Sequence, residues 1–202
     1  MKIIRYYFEQ IFNSFFEYGN FGWTEFNPEF IKLLFEENKT KIPLKFNINK
    51  FTIFYLTSIN SASKFILNNL NIGGYIMMFD YQHEGEEYYQ FILKLINERN
   101  KFPKIWFIIK RAPEVFNIIL ENIETSKDCS KIVTDIRLGF QYFPSGFSIN
   151  LSEKAENIEK WHEYDYAYTK YQLVNKYNPK MKFSVFIEKN ASGGSSEIKR
   201  IY

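Results

Sequence analysis

Two nearly unbroken apolar runs, Gly74 to Asp80 and Lys104 to Lys110, set the terms for the fold of this chain. Runs of that length without polar alternation fit strands buried on both faces of a sheet. Between them, Gly85 to Asn100 carries Tyr88, Phe91, Ile92, Leu95 and Ile96 at helical spacing. Strand, helix, strand makes a right-handed crossover, and such a unit joins parallel neighbours.

The flanking segments extend this pattern. Ile3, Ile4, Tyr7, Phe8, Ile11, Phe12, Phe15 and Phe16 recur at steps of one, three and four, which predicts an opening helix that ends near Gly19. From Phe21 to Asn38 two readings stand, a helix starting at Asn27-Pro28 or a buried strand over Phe30 to Phe35. Lys41 to Phe46 and Lys50 to Leu56 alternate around Asn47-Ile48-Asn49, the pattern of an antiparallel hairpin. In the second half, Pro113 to Ile123 reads as a helix and Phe147 to Leu151 as a short strand. Ser152 would cap a helix running to about Asn175, with Glu153 and Glu156 in its first turn. Lys182 to Ile187 is a last strand before the Gly/Ser-rich stretch Asn190 to Ser196. The expected fold class is α/β, a doubly wound and mostly parallel sheet with one antiparallel hairpin edge and helices on both faces.

Length and charge narrow the partners. At 202 residues the chain holds one main core, divided as a domain over 1–178 and a strand-and-loop extension over 179–202. Its 26 basic and 23 acidic residues give a net charge of +3, too little to steer DNA, RNA or an anionic membrane. Aromatic residues reach 20%, an excess that codon bias in an AT-rich genome would explain. A lone Cys129 and two distant histidines, His83 and His162, leave neither a disulfide nor a zinc-site spacing, which suits a reducing, cytoplasmic compartment. Residues 1–16 lack the uniform apolar core of a signal peptide, and no apolar run approaches the ~20 residues of a membrane helix.

The order of elements, together with local text, resembles the Ras-like small GTPases with their first strand removed. Gly74-Tyr75-Ile76-Met77-Met78-Phe79-Asp80 looks like the family's fourth strand, and Ile149 to Glu159, with Ser152 and Lys154, is similar to its Ser-Ala-Lys loop, whose backbone touches the guanine. Phe183 to Ile187 followed by Glu188 to Ser195 has the outline of a strand and GxxxxGK[S/T] loop displaced to the C-terminus. The resemblance implies nucleotide contacts at Gly193, Gly194, Ser195, Lys110, Ser152 and Lys154, with Ser195 on the metal. It departs from the family at the chemistry: Gly194 replaces the phosphate-binding Lys, Tyr55 to Ser58 lacks the DxxG, and Lys110 alone remains of the NKxD. Thr24, near the place of the switch Thr, reads as an ordinary loop residue.

The expectation is thus a non-catalytic, GTPase-like domain that binds no cofactor. It would serve as a platform for protein partners through Phe21 to Asn38 and Thr57 to Leu70. The alternative is a divergent GTPase that binds GTP or GDP with Mg²⁺ through a completed phosphate loop. Two further clusters read as structural. His83-Glu84-Gly85-Glu86-Glu87 suits an acidic helix N-terminus, and Trp161, Tyr164, Tyr166 and Tyr168 suit an aromatic helix face in contact with the core or a partner.

Overall fold

The computed structural model describes residues 2–21, 28–35, 45–54, 58–80, 82–109, 113–140, 151–153 and 155–201. Helix α1 (Lys2–Phe12) leads through Asn13 and Ser14 into strand β1 (Phe15–Phe21). Helix α2 (Pro28–Phe35), strand β2 (Phe46–Phe54), helix α3 (Ile59–Asn69) and strand β3 (Leu70–Asp80) follow. Helix α4 (Glu86–Ile96), strand β4 (Lys104–Ile109), helix α5 (Pro113–Thr125) and strand β5 (Asp135–Phe140) complete the first half. The elements described after it are all strands: β6 (Ala155–Glu163), β7 (Tyr166–Val174), β8 (Lys182–Asn190) and β9 (Gly193–Ile201).

The nine strands among the described residues form one sheet in the order β1-β2-β3-β4-β5-β9-β8-β7-β6. The ladders among β1 to β5 are parallel, and those from β5 through β9, β8 and β7 to β6 are antiparallel. This corrects the doubly wound expectation. The first five strands run in spatial sequence, so successive right-handed crossovers all land on one face, whereas a doubly wound sheet must reverse direction to cover its second face. The helices accordingly pack as one layer, α2 on α3, α3 on α4 and α4 on α5.

Burial follows the same division. On β4, Ile105, Phe107 and Ile109 are buried and their alternates Trp106 and Ile108 only partly so; on β5, Ile136, Leu138 and Phe140 are buried and Arg137 and Gly139 partly. The first set lies under the helices and joins Ile76, Met78, Phe91, Ile92, Leu95 and Ile119 in the core. The second set lies on a face that carries no helix among the described residues.

Several local expectations are also corrected. The opening helix ends at Phe12, and Phe15 and Phe16 belong to β1. Asn47-Ile48-Asn49 is no turn: it lies within the continuous strand β2, which bears a register irregularity between Ile48 and Lys50. The long helix expected after Ser152 is the hairpin β6–β7, whose two-residue turn is Tyr164-Asp165, with Tyr164 at φ 53. Within Phe21 to Asn38, residues 28–35 are helical. The residues expected to form a strand over 147–150, and Thr24, lie outside the described residues.

Two buried polar side chains join the halves. Asn175, 1% exposed, donates from its amide to the carbonyls of Ile123 (2.6 Å), Glu124 (3.1 Å) and Ser126 (2.9 Å) at the end of α5. Its Oδ1 accepts from the backbone of Tyr177 and Asn178, which shapes the turn between β7 and β8. Arg200 of β9 donates to the carbonyls of Cys129 and Ile132 in the link between α5 and β5. No helix among the described residues is long and apolar enough to cross a membrane.

Truncating Asn175 to Ala orphans carbonyls and amides together, so N175A is expected to cost about 3 kcal/mol in urea unfolding. An effect within experimental error would contradict this clamp. Tyr171 is 1% exposed and its hydroxyl has no hydrogen-bond partner among the described residues. Burial, with Glu124 adding a smaller push, raises its phenol well above the ordinary tyrosine value. Stability tied to the neutral phenol is therefore complete below about pH 10 and lost as pH rises through that value, where the unfolded chain ionises first. Y171F should raise stability by about 1 kcal/mol at neutral pH and weaken the alkaline loss; a destabilised Y171F with an unchanged alkaline limb would refute the assignment.

Candidate functional site: the helix-free sheet face

Across the uncovered face, side chains from successive strands stack in rows. Phe54 of β2 lies on Phe79 of β3 with ring centroids 4.5 Å apart and planes at 17°. Tyr75 of β3 stacks on Trp106 of β4 at 4.4 Å and 11°. Arg137 of β5 sets its guanidinium 4.8 Å from the centre of the Trp106 ring. Beyond β9, Phe186 of β8 neighbours Tyr168 of β7 at 6.0 Å, and Tyr168 stacks on Trp161 of β6 at 5.2 Å and 14°. The register makes this possible, because Met77 pairs with Trp106, Trp106 with Arg137, Arg137 with Glu197 and Glu197 with Phe186, all on one face of the pleat.

Between the two aromatic groups lies a groove of about 340 Å³, lined by Trp106, Ile108, Arg137, Gly139, Phe186 and Glu197, among others. Gly139 keeps it open: a Cβ there would stand 2.9 Å from Cδ1 of Ile108. Arg137 is held on both sides, its Nε 3.3 Å from Asp135 and its Nη2 2.8 Å from Glu197, while Glu197 also meets Lys199 at 2.8 Å. A guanidinium already shared by two carboxylates is a poor phosphate ligand, but its flat face still completes a stack. Among the described residues the buried indole Nε1 of Trp106 has no hydrogen-bond partner. The groove thus combines flat apolar walls with compensated charge, which suits a planar, largely neutral group.

Of the residues expected to bind nucleotide, three share one strand. Gly193, Gly194 and Ser195 open strand β9, where they pair with Asn190, Lys189 and Glu188 of β8, and Gly194 and Ser195 also with Phe140 and Gly139 of β5. The stretch after them, expected to open a helix, is strand through Ile201, so the phosphate-loop outline and the Ras-like resemblance are overturned along with the fold. Ser195 lines the groove. Ser152 instead donates to Glu124 at 2.8 Å, and Lys110 and Lys154 lie outside the described residues.

At the end of β3, Asp80 is 2% exposed. It accepts from the backbone amides of Gln82 and His83 and faces Nδ1 of His83 at 3.1 Å. The pair shapes the entry to α4, where Gly85 takes φ 95 as N-cap and Glu86 and Glu87 occupy the first turn. Among the described residues no three of His, Cys, Asp or Glu converge as metal ligands. Trp161, Tyr166 and Tyr168 lie on strands and not on the expected helix, and the i, i+2 spacing of Tyr166 and Tyr168 is the sequence signal for it.

Fold and face together define an open-faced sheet domain with a single helix layer. A family model described as a domain of unknown function, DUF8381, matches residues 1–80, a span that closes at the last residue of β3. No curated protein matches the chain.

Cys129 is buried, and loss of solvent drives its thiol above the ordinary range. The folded chain should therefore resist aromatic disulfide reagents and titrate one thiol only in denaturant. Rapid stoichiometric reaction of the folded chain would show that this end of the core is open.

Proposed function

We propose that this chain is a non-catalytic protein-binding domain that holds its partner on the helix-free face of the sheet, with Tyr75, Trp106 and Arg137 as the grip. The observation that carries this reading is the aromatic stacking on an uncovered face: flat rings fixed by their neighbours lose little entropy on contact and dominate protein interfaces. Charge supports a protein partner over a polyanion. Lys50, Lys104, Arg137, Lys170 and Lys199 share this face with Asp135, Glu159, Glu188 and Glu197, so both signs are interspersed around the rings. A nucleic-acid surface would concentrate one sign. The location differs from the switch-like segments expected from sequence, Phe21 to Asn38 and Thr57 to Leu70, of which residues 22–27, 36–38 and 57 lie outside the described residues.

Phage-displayed random peptides selected on the folded full chain test the reading. The enriched peptides should carry a planar side chain and bind W106A and R137A about tenfold or more weakly, while a helix-layer variant, Q90A, retains wild-type affinity. Peptides that bind all three variants alike would remove the sheet face from the account.

A further inference from the structure

The two edges of the sheet are defended very differently. Strand β6, at one edge, carries Glu156, Glu159, Lys160 and Glu163 and a register irregularity containing Asn157 at φ 53. Charge and irregularity are the usual protection against edge-to-edge pairing. Strand β1, at the other edge, reads Phe-Phe-Glu-Tyr-Gly-Asn-Phe and has no neighbour on its outer side among the described residues. Its single charge, Glu17, is already neutralised within the protomer by Lys50 at 2.9 Å and by the amide of Asn49. That hydrogen bond from Lys50 is the main cause holding the Glu17 carboxyl below its usual value.

The exposed apolar surface concentrates at the same edge. Phe15 is 66% exposed and Tyr18 55%, and α1, which leads into β1, turns out Ile3 (74%), Tyr6 (59%) and Tyr7 (62%). Nine of the large apolar side chains left exposed among the described residues fall between residues 3 and 33. At about 200 Å² per side chain and roughly half exposure they offer on the order of 1,000 Å², above the ~800 Å² per partner of a stable interface.

We infer that β1 pairs antiparallel with β1 of a second copy, joining two nine-stranded sheets into one across a two-fold axis at Tyr18. Pairs in an antiparallel ladder alternate between hydrogen-bonded and non-hydrogen-bonded, so a two-fold axis must pass through a residue rather than between residues. An axis at Glu17 sets two carboxylates face to face, and one at Gly19 shortens the overlap. An axis at Tyr18 uses the whole strand: residue 15 meets 21, Phe16 meets Asn20 and Glu17 meets Gly19, with no like charges opposed. The axis stands perpendicular to the sheet, so it keeps both helix layers on one side and both aromatic faces on the other. The inference does not depend on the groove.

Across this axis the two Tyr18 Cα atoms stand roughly 4.5 to 5.5 Å apart, within disulfide reach. Y18C in the full chain should therefore form a disulfide-linked dimer under mild oxidation, reversed by reductant. E159C on the opposite edge, and the wild type with its buried Cys129, should stay single on non-reducing gels. Sedimentation of the wild type at micromolar concentration should give twice 24.3 kDa. Should Y18C fold poorly, Y18K and Y18E give a second readout: each alone is monomeric, and an equimolar mixture regains the dimer. A wild type that sediments as a monomer, a Y18C that links no faster than E159C, or charge variants that do not recombine would overturn the inference, including in favour of a strand donated by another protein.

Discussion

Spatial succession of the first five strands governs this molecule. Because β1 to β5 lie side by side in chain order, parallel crossovers of the usual right hand bring α2 to α5 to the same face. The sheet then has one insulated side and one open side. The uncovered side must satisfy its apolar residues by other means, and it does so laterally, by stacking Phe54 on Phe79, Tyr75 on Trp106 and Trp161 on Tyr168. The same stacking that stabilises a half-exposed face also leaves rings presented to a partner, so stability and the proposed binding role draw on one set of residues.

The antiparallel half extends this arrangement without adding helices. Strand β9 runs between β5 and β8, and its Ile198, with Val185 and Ile187 of β8, continues the buried side of β5. Asn175 and Arg200 hold that extension to the end of α5 and to the link before β5 through backbone carbonyls that a helix end and a 3₁₀ turn would otherwise leave unpaired. The groove lies near this join, where Gly139 withholds a side chain from the open face.

Much of the parallel half was legible in the sequence. The strands at 74–80 and 104–109, the intervening helix and the helix beginning at Pro113 all follow from period and punctuation. The winding was not legible, for a physical reason: Tyr75, Met77, Phe79, Trp106 and Ile108 make β3 and β4 apolar on both faces, which imitates burial under helices on both sides. The hairpin β6–β7 was hidden because Ser152, Glu153 and Glu156 imitate a helix cap, while alternation in Tyr166 to Val174 carried the true signal. Gly193, Gly194 and Ser195 imitated a phosphate loop, yet they serve as the start of a strand packed between two neighbours. Strand β5 alternates Ile136, Leu138 and Phe140 with Arg137 and Gly139, a two-residue period too short to stand out from the loops around it.

The most direct test of one-sided winding compares two adjacent methionines at the centre of β3. Met77 faces the open side and is partly exposed, whereas Met78 faces the helices at 1% exposure. With Cys129 replaced by Ser, thiol-labelling rates of M77C and M78C report the two faces separately. The account predicts ready labelling of M77C in the folded chain and protection of M78C until denaturant is added. Equal protection at both positions would mean that a second layer covers the sheet, and the open face would be wrong.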